Sequence, residues 1–202
     1  MFEAHSAIQT LLARGARGGR DGANGGRALR IIERRGFTLT QLVLHRRSRD
    51  AGLASVRSAL GCDLPTAVDS VAVTGDLRLY RTGPEHYWVV SSEPTTPARL
   101  EGTLPGELIA VTPLSSSRVC VSVTGAKAGA VLATGIPVDL HPAVFRVGQF
   151  AQSGLHHTGV LLERRAEERY DLFFLRTFAA TLHDWLTDAA LVHGYDLGSE
   201  AY

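Results

Sequence analysis

Serine, histidine and aspartate occur in combinations that invite a nucleophilic reading. Ser115, Ser116 and Ser117 form a run, His156 and His157 are adjacent, and Asp139 or Asp171 would complete a Ser-His-Asp set. A hydrolase serine needs a strained strand-to-helix turn to expose its hydroxyl, and the G-x-S-x-G pattern that builds this turn does not occur. The serines read instead as turn residues before the strand RVCVSVT, with hydroxyls that bond nearby backbone groups.

Metal ligation meets similar objections. Neighbouring strand residues point to opposite faces, so His156 and His157 are poorly placed to chelate one ion. His141 and His183 lack the H-E-x-x-H carboxylate pattern. Cys62 and Cys120 have no CxxC partner and read as buried, reduced thiols. Phosphate binding has two weak candidates. GARGGRDGANGG (15–26) lacks the lysine spacing of a nucleotide loop, and VTGAKAG (123–129) is too short, its Gly125 being explained by close strand-to-helix packing. PVDLHP (137–142) reads as a turn: Pro137 ends a helix, Asp139 braces the loop, and His141-Pro142 redirects the chain. No catalytic, cofactor-binding or metal-binding residue is assigned.

The chain has 202 residues, 45% of them hydrophobic and 20% charged, with a net charge of +1. That composition fits a globular protein with a full core and excludes a strong general attraction to nucleic acid. No apolar run reaches the ~18 residues of a membrane span, and the N-terminus lacks an export signal, so a cytoplasmic location without membrane association is expected. Lys127 is the only lysine. The arginine bias is consistent with a GC-rich bacterial coding sequence.

Residues 1–35 are expected to form an Arg/Gly-rich arm, mobile or partner-bound, because glycine and arginine there outweigh apolar periodicity. A short helix is expected at 4–14. Arg14, Arg17, Arg20 and Arg27 are the candidate subunit contacts. The absence of interleaved aromatics argues against a base-stacking tail. Residues 36–202 are expected to form one α+β domain with mixed or antiparallel sheets and packed helices, an order compatible with two related halves. Strands are predicted at 37–45, 77–81, 86–91, 107–112, 118–124, 149–153, 157–163 and 170–175, the last two separated by the polar turn ERRAEER. Helices are predicted at 51–60, stopped by Gly61, at 98–102, at 126–134, stopped by Gly135, and at 177–193, capped by Thr177. Trp88 and Trp185 are expected in the core.

The ordered elements VSVTG (121–125), ATG (133–135), PVDLHP (137–142), VF-x-VG-x-FAQS (144–153) and a helix opening RTFA (176–179) and containing W-L-x-D-A (185–189) carry a resemblance. Together they resemble the gamma subunit of heterotetrameric sarcosine oxidase-type flavoenzymes. The resemblance implies a fold similar to the folate-binding region of glycine-cleavage aminomethyltransferase. It also implies a non-catalytic structural subunit in a complex with alpha, beta and delta subunits that demethylates sarcosine or a related N-methyl amine, alpha being the main contact. FAD, FMN, NAD, tetrahydrofolate and zinc are expected in those partner subunits and no cofactor in this chain. The alternative reading is a free-standing folate-binding or one-carbon-handling protein.

Overall fold

The computed structural model describes residues 6–12, 17–18 and 27–202. Its first half contains α1 (Gln9–Leu12), β1 (Leu29–Arg35), β2 (Thr38–Leu44), α2 (Arg49–Leu60), β3 (Val71–Thr74), β4 (Leu77–Arg81), β5 (His86–Ser91) and α3 (Thr96–Thr103). There follow β6 (Ile109–Pro113), β7 (Arg118–Thr124), α4 (Ala128–Ala133), β8 (Phe150–Leu155), β9 (Thr158–Ala166), β10 (Arg169–Leu175), α5 (Ala179–Ala190) and β11 (Tyr195–Ala201). The chain is an α+β protein built as two units, one made of Gly36–Ser116 and the other joining the segment up to Arg35 to Ser117–Tyr202.

The Gly36–Ser116 unit holds a five-stranded sheet of order β3-β4-β5-β2-β6, antiparallel throughout. Alternate residues Leu42 and Leu44 on β2 and Tyr87 and Val89 on β5 bury one face against Val56 and Leu60 of α2 and Leu100 of α3. Gly61 ends α2 as expected, in the left-handed conformation at φ 68°, with its N–H donated to the Arg57 carbonyl. Trp88, on the opposite face from Tyr87 and Val89, is half-buried rather than core, and its indole N–H donates to Gln41 Oε1 at 3.3 Å.

The other unit holds a six-stranded sheet of order β11-β1-β7-β10-β9-β8, in which β1 and β11 are parallel and every other pair is antiparallel. Leu29 and Ile31 of β1, Val121 and Val123 of β7, and Leu172 and Phe174 of β10 form its apolar face. Val131 and Leu132 of α4 and Leu182, Leu186 and Ala190 of α5 cover that face.

Three expectations are corrected in this unit. Leu29–Arg35, expected within the arm, is an interior strand, because Leu29, Ile31 and Ile32 are buried and its charges find partners. Glu33 accepts from the Ser6 hydroxyl at 2.6 Å, and Arg30 and Arg34 both donate to Glu200. The ERRAEER segment is mostly strand, since β9 runs on to Ala166 and only Glu167 and Glu168 turn the chain. Thr177 does not cap the closing helix: it lies in a 3-10 turn at Arg176–Phe178, and α5 runs from Ala179 only to Ala190.

Candidate functional site

The residues of the possible Ser-His-Asp set are engaged separately. Ser115 Oγ accepts the Leu39 N–H at 3.0 Å, and Ser117 Oγ accepts from Arg118 at 3.2 Å. His156 and His157 are exposed at the β8–β9 turn, where His156 adopts φ 53°. Asp139 accepts the His141 N–H at 2.9 Å, bracing the loop in the expected way. His183 is buried on α5, with Nδ1 3.7 Å from Asp184 Oδ1. Among the described residues no group of three or more His, Cys, Asp or Glu side chains is arranged to hold a metal ion. No helix among them is long and apolar enough to cross a membrane. Cys120 is fully buried, and burial with the nearby Asp171 charge pushes its thiol well above the usual range. Cys62 is only half-buried, in contrast to expectation.

Arg14 and Arg20 lie outside the described residues. Arg17 and Arg27 each bond to a residue at the start of β11. The Arg17 N–H donates to the Tyr195 carbonyl at 3.1 Å, and the Arg17 carbonyl accepts the Tyr195 N–H at 2.9 Å. Arg27 Nη1 lies 3.3 Å from Asp196 Oδ1.

Sequence reading missed a buried ionic rung on the sheet face opposite the helices. Gly198, Ile32, Ser122, Asp171, Glu163 and Phe150 stand directly beside one another across all six strands. Ser122, Asp171 and Glu163 are 0% exposed. Arg169 grips Asp171 with Nε and Nη2, each 3.0 Å from a carboxylate oxygen, while the Ser122 hydroxyl donates to Oδ1 at 2.5 Å. Arg165 Nη1 stands 3.6 Å from Asp171 and 3.9 Å from Glu163, so it lies between the two carboxylates. The same Nη1 donates to the Tyr202 hydroxyl at 2.8 Å, and burial holds that phenol above its ordinary range. The signal is the seven charged residues that interrupt the apolar runs of 160–174, which read as a polar turn. With its carboxylates tied into arginine pairs, this rung is suited to fixing the sheet.

The other built feature is a cleft of about 510 Å³ beside α4. Gly125, Ala126, Gly129, Ala130 and Ala133 form a wall with no side chain beyond Cβ. The facing side comes from Val138, Asp139, Leu140, His141 and Pro142, and from Arg164, Glu167, Glu168 and Tyr170 at the β9–β10 hairpin. Gly125 sits at φ 119°, and a Cβ there would stand 2.1 Å from the Ala28 carbonyl oxygen, so its close neighbour is the backbone entering β1. His141 Nδ1 accepts the Ala143 N–H at 3.3 Å, which fixes the ring within the loop. Tyr170 is buried, which raises its phenol pKa despite the opposing Arg164 charge. The lining holds no serine, threonine, cysteine or lysine, and its titratable side chains are Asp139, His141, Arg164, Glu167, Glu168 and Tyr170.

Residues 47–192 match the family described as sarcosine oxidase, gamma subunit family. The sarcosine oxidase subunit gamma of an Arthrobacter sp is 30% identical over 169 residues, covering 83% of this chain and 83% of that protein. A chain of the heterotetrameric sarcosine oxidase from Corynebacterium sp. U-96, in complex with pyrrole 2-carboxylate, superposes with a TM-score of 0.81 at 28% identity. That alignment covers 92% of this chain and 94% of the other. The glycine cleavage system aminomethyltransferase T of Bartonella henselae superposes with a TM-score of 0.60 at 17% identity, over 85% of this chain and 48% of that one. The last likeness concerns the fold alone.

Proposed function

The chain belongs to the sarcosine oxidase, gamma subunit family, and on that premise we propose that it is the non-catalytic gamma subunit of a heterotetrameric, flavin-dependent complex. The complex oxidatively demethylates sarcosine or a related N-methyl amine in the cytoplasm. Its other members are alpha, beta and delta subunits, with alpha the main contact. FAD, FMN, NAD, tetrahydrofolate and zinc are carried by those partners. The observation carrying this reading is the near full-length likeness to a chain of a heterotetrameric sarcosine oxidase, at a TM-score of 0.81 over 92% of the chain.

The site geometry is consistent with a supporting role. The carboxylates of the ionic rung are committed to arginines. The arm contributes through Arg14, Arg17, Arg20 and Arg27, of which Arg17 and Arg27 sit where the chain joins the β11 edge.

Purification of the tagged chain from its native cells during growth on an N-methyl amine, with subunit mass analysis and an absorption spectrum, tests the proposal. Three co-purifying polypeptides and a flavin spectrum are expected. A chain that emerges alone and colourless would overturn the assembly.

A further inference from the structure

We propose that the Gly36–Ser116 unit carries a binding site for a small free carboxylate with a short apolar stem, in the cleft between α2 and the ends of β4 and β5. The site lies wholly within that unit and goes beyond the assembly proposed above, on which it does not depend. Three features specify the ligand.

The first is a cationic lining without an acid. Arg49, Arg57 and Arg81 line this cleft of about 210 Å³, and no lining residue is acidic. Arg49, Leu53 and Arg57 follow one another at four-residue spacing along one side of α2. Arg57 commits Nε to Asp63 at 2.5 Å, and Arg49 Nη1 lies 3.7 Å from Asp50, beyond hydrogen-bond reach. Those two carboxylates are 77% and 98% exposed, so water screens both pairs. Among the described residues the Nη groups of Arg49 and Arg57 make no hydrogen bond, which leaves them open to a further acceptor.

The second is a cation and a phenol that lack their usual partners. Arg81, half-buried at the end of β4, donates Nη1 to the Thr66 carbonyl and Nη2 to the Pro84 carbonyl at 3.4 Å. Those carbonyls fix its guanidinium but leave its charge without a counter-ion among the described residues, and a carboxylate in the cleft supplies one. Tyr87 stands directly opposite Arg81 on β5, so the two share the sheet face that α2 covers. Tyr87 is 2% exposed and lines the cleft; its hydroxyl makes no hydrogen bond among the described residues and, unlike Arg81 Nε, is not sealed from solvent. A phenol buried to this degree is ordinarily hydrogen-bonded, and a carboxylate oxygen accepts from it as well as from the guanidiniums.

The third is shape, which chooses among anions. Leu53, Leu64, Pro65 and the Tyr87 ring form an apolar wall that a hydrocarbon stem covers and an inorganic phosphate leaves bare. The volume of about 210 Å³ lies below the ~300–1,000 Å³ of clefts for drug-sized ligands, so the occupant is small. A planar carboxylate also matches the guanidinium fork with two parallel hydrogen bonds.

The test is calorimetric titration of the full chain, with whatever subunits co-purify through its tag, using sodium butyrate, inorganic phosphate and butylammonium as probes. Saturable binding of butyrate is expected, tighter than that of phosphate, with none of butylammonium. Arg49→Gln and Arg57→Gln act on side chains at the surface of α2, outside the core, and each is expected to weaken butyrate about tenfold. Tyr87→Phe keeps the ring and is expected to weaken it about threefold. Arg47→Gln, exposed and outside the cleft, is expected to leave binding unchanged. Absence of saturable butyrate binding, phosphate bound as tightly as butyrate, an equal loss in Arg47→Gln, or affinity unmoved by all three cleft variants would each overturn the site.

Discussion

The indole ring of Trp185 occupies the place where a side chain on Gly135 would begin. A Cβ built on Gly135 would stand 2.3 Å from Trp185 Cζ2, 2.7 Å from Cη2 and 2.9 Å from Leu155 Cδ1. Gly135 is not among the glycines with positive φ, and α4 closes on Thr134 in the right-handed conformation. The glycine that follows α4 therefore serves contact between α4 and α5, without a left-handed conformation. Two separated motifs, ATG and W-L-x-D-A, are halves of one packing contact. Gly135→Ala is expected to destabilise the chain by about 1–3 kcal/mol through overpacking, with a change in Trp185 fluorescence. Trp185→Phe in the same background is expected to recover part of the loss, and denaturant unfolding of the three variants measures it.

Gly125 is constrained by backbone on both counts. Its φ of 119° is a conformation side chains rarely adopt, and the Cβ of an alanine would meet the Ala28 carbonyl oxygen at 2.1 Å. A ring such as Trp185 can shift slightly, whereas the Ala28 carbonyl is fixed where the chain enters β1. Gly125→Ala is expected to cost more than Gly135→Ala, about 3 kcal/mol or above. Equal unfolding midpoints for the two variants would refute that ranking.

Legibility in the sequence followed the apolar pattern. The hairpin formed by LRLYR and HYWVVS, the strand RVCVSVT and the closing helix all have clear spacing and occur in the structure. β1 and β11 were hidden because their charges are satisfied by residues far away in sequence: Arg30 and Arg34 reach Glu200, some 170 and 166 positions on. No local pattern announces such a pairing. The same blindness affected the cleft. PVDLHP was legible as a turn, but Arg164, which underlies that turn by bonding Phe145, read as part of a polar loop.

Alkaline stability should follow the buried thiol. Burial, followed by the Asp171 charge, raises the Cys120 pKa in the folded chain well above its ordinary 9.0. The folded chain then holds a proton that the unfolded chain releases. The contribution is complete below the unfolded value and is lost as pH rises toward and through the folded one. Unfolding midpoints are expected to fall as pH climbs above about 9, and Cys120→Ala should flatten that decline while lowering stability at neutral pH. An unchanged alkaline slope in Cys120→Ala would exclude the thiol as its source.

The ionic rung makes the most specific energetic claim. Asp171 and Glu163 face each other directly on β10 and β9, a pairing of like charges that is unfavourable by itself. Arginines on both hairpin strands offset it, and Ser122 completes the set by donating to Asp171 while accepting from Arg34 Nε at 2.8 Å and Arg169 Nη2 at 3.3 Å. Ser122→Ala removes one donor from a buried carboxylate and one acceptor from two arginines, and is expected to cost about 2 kcal/mol. Asp171→Asn leaves Arg165 and Arg169 beside a single buried carboxylate and is expected to cost more, about 3–5 kcal/mol. Because both changes act on the same hydrogen bond, the double variant should lose less than their sum. Denaturant unfolding of the four chains closes the cycle, and strict additivity would mean that Ser122 and Asp171 stabilise the sheet independently.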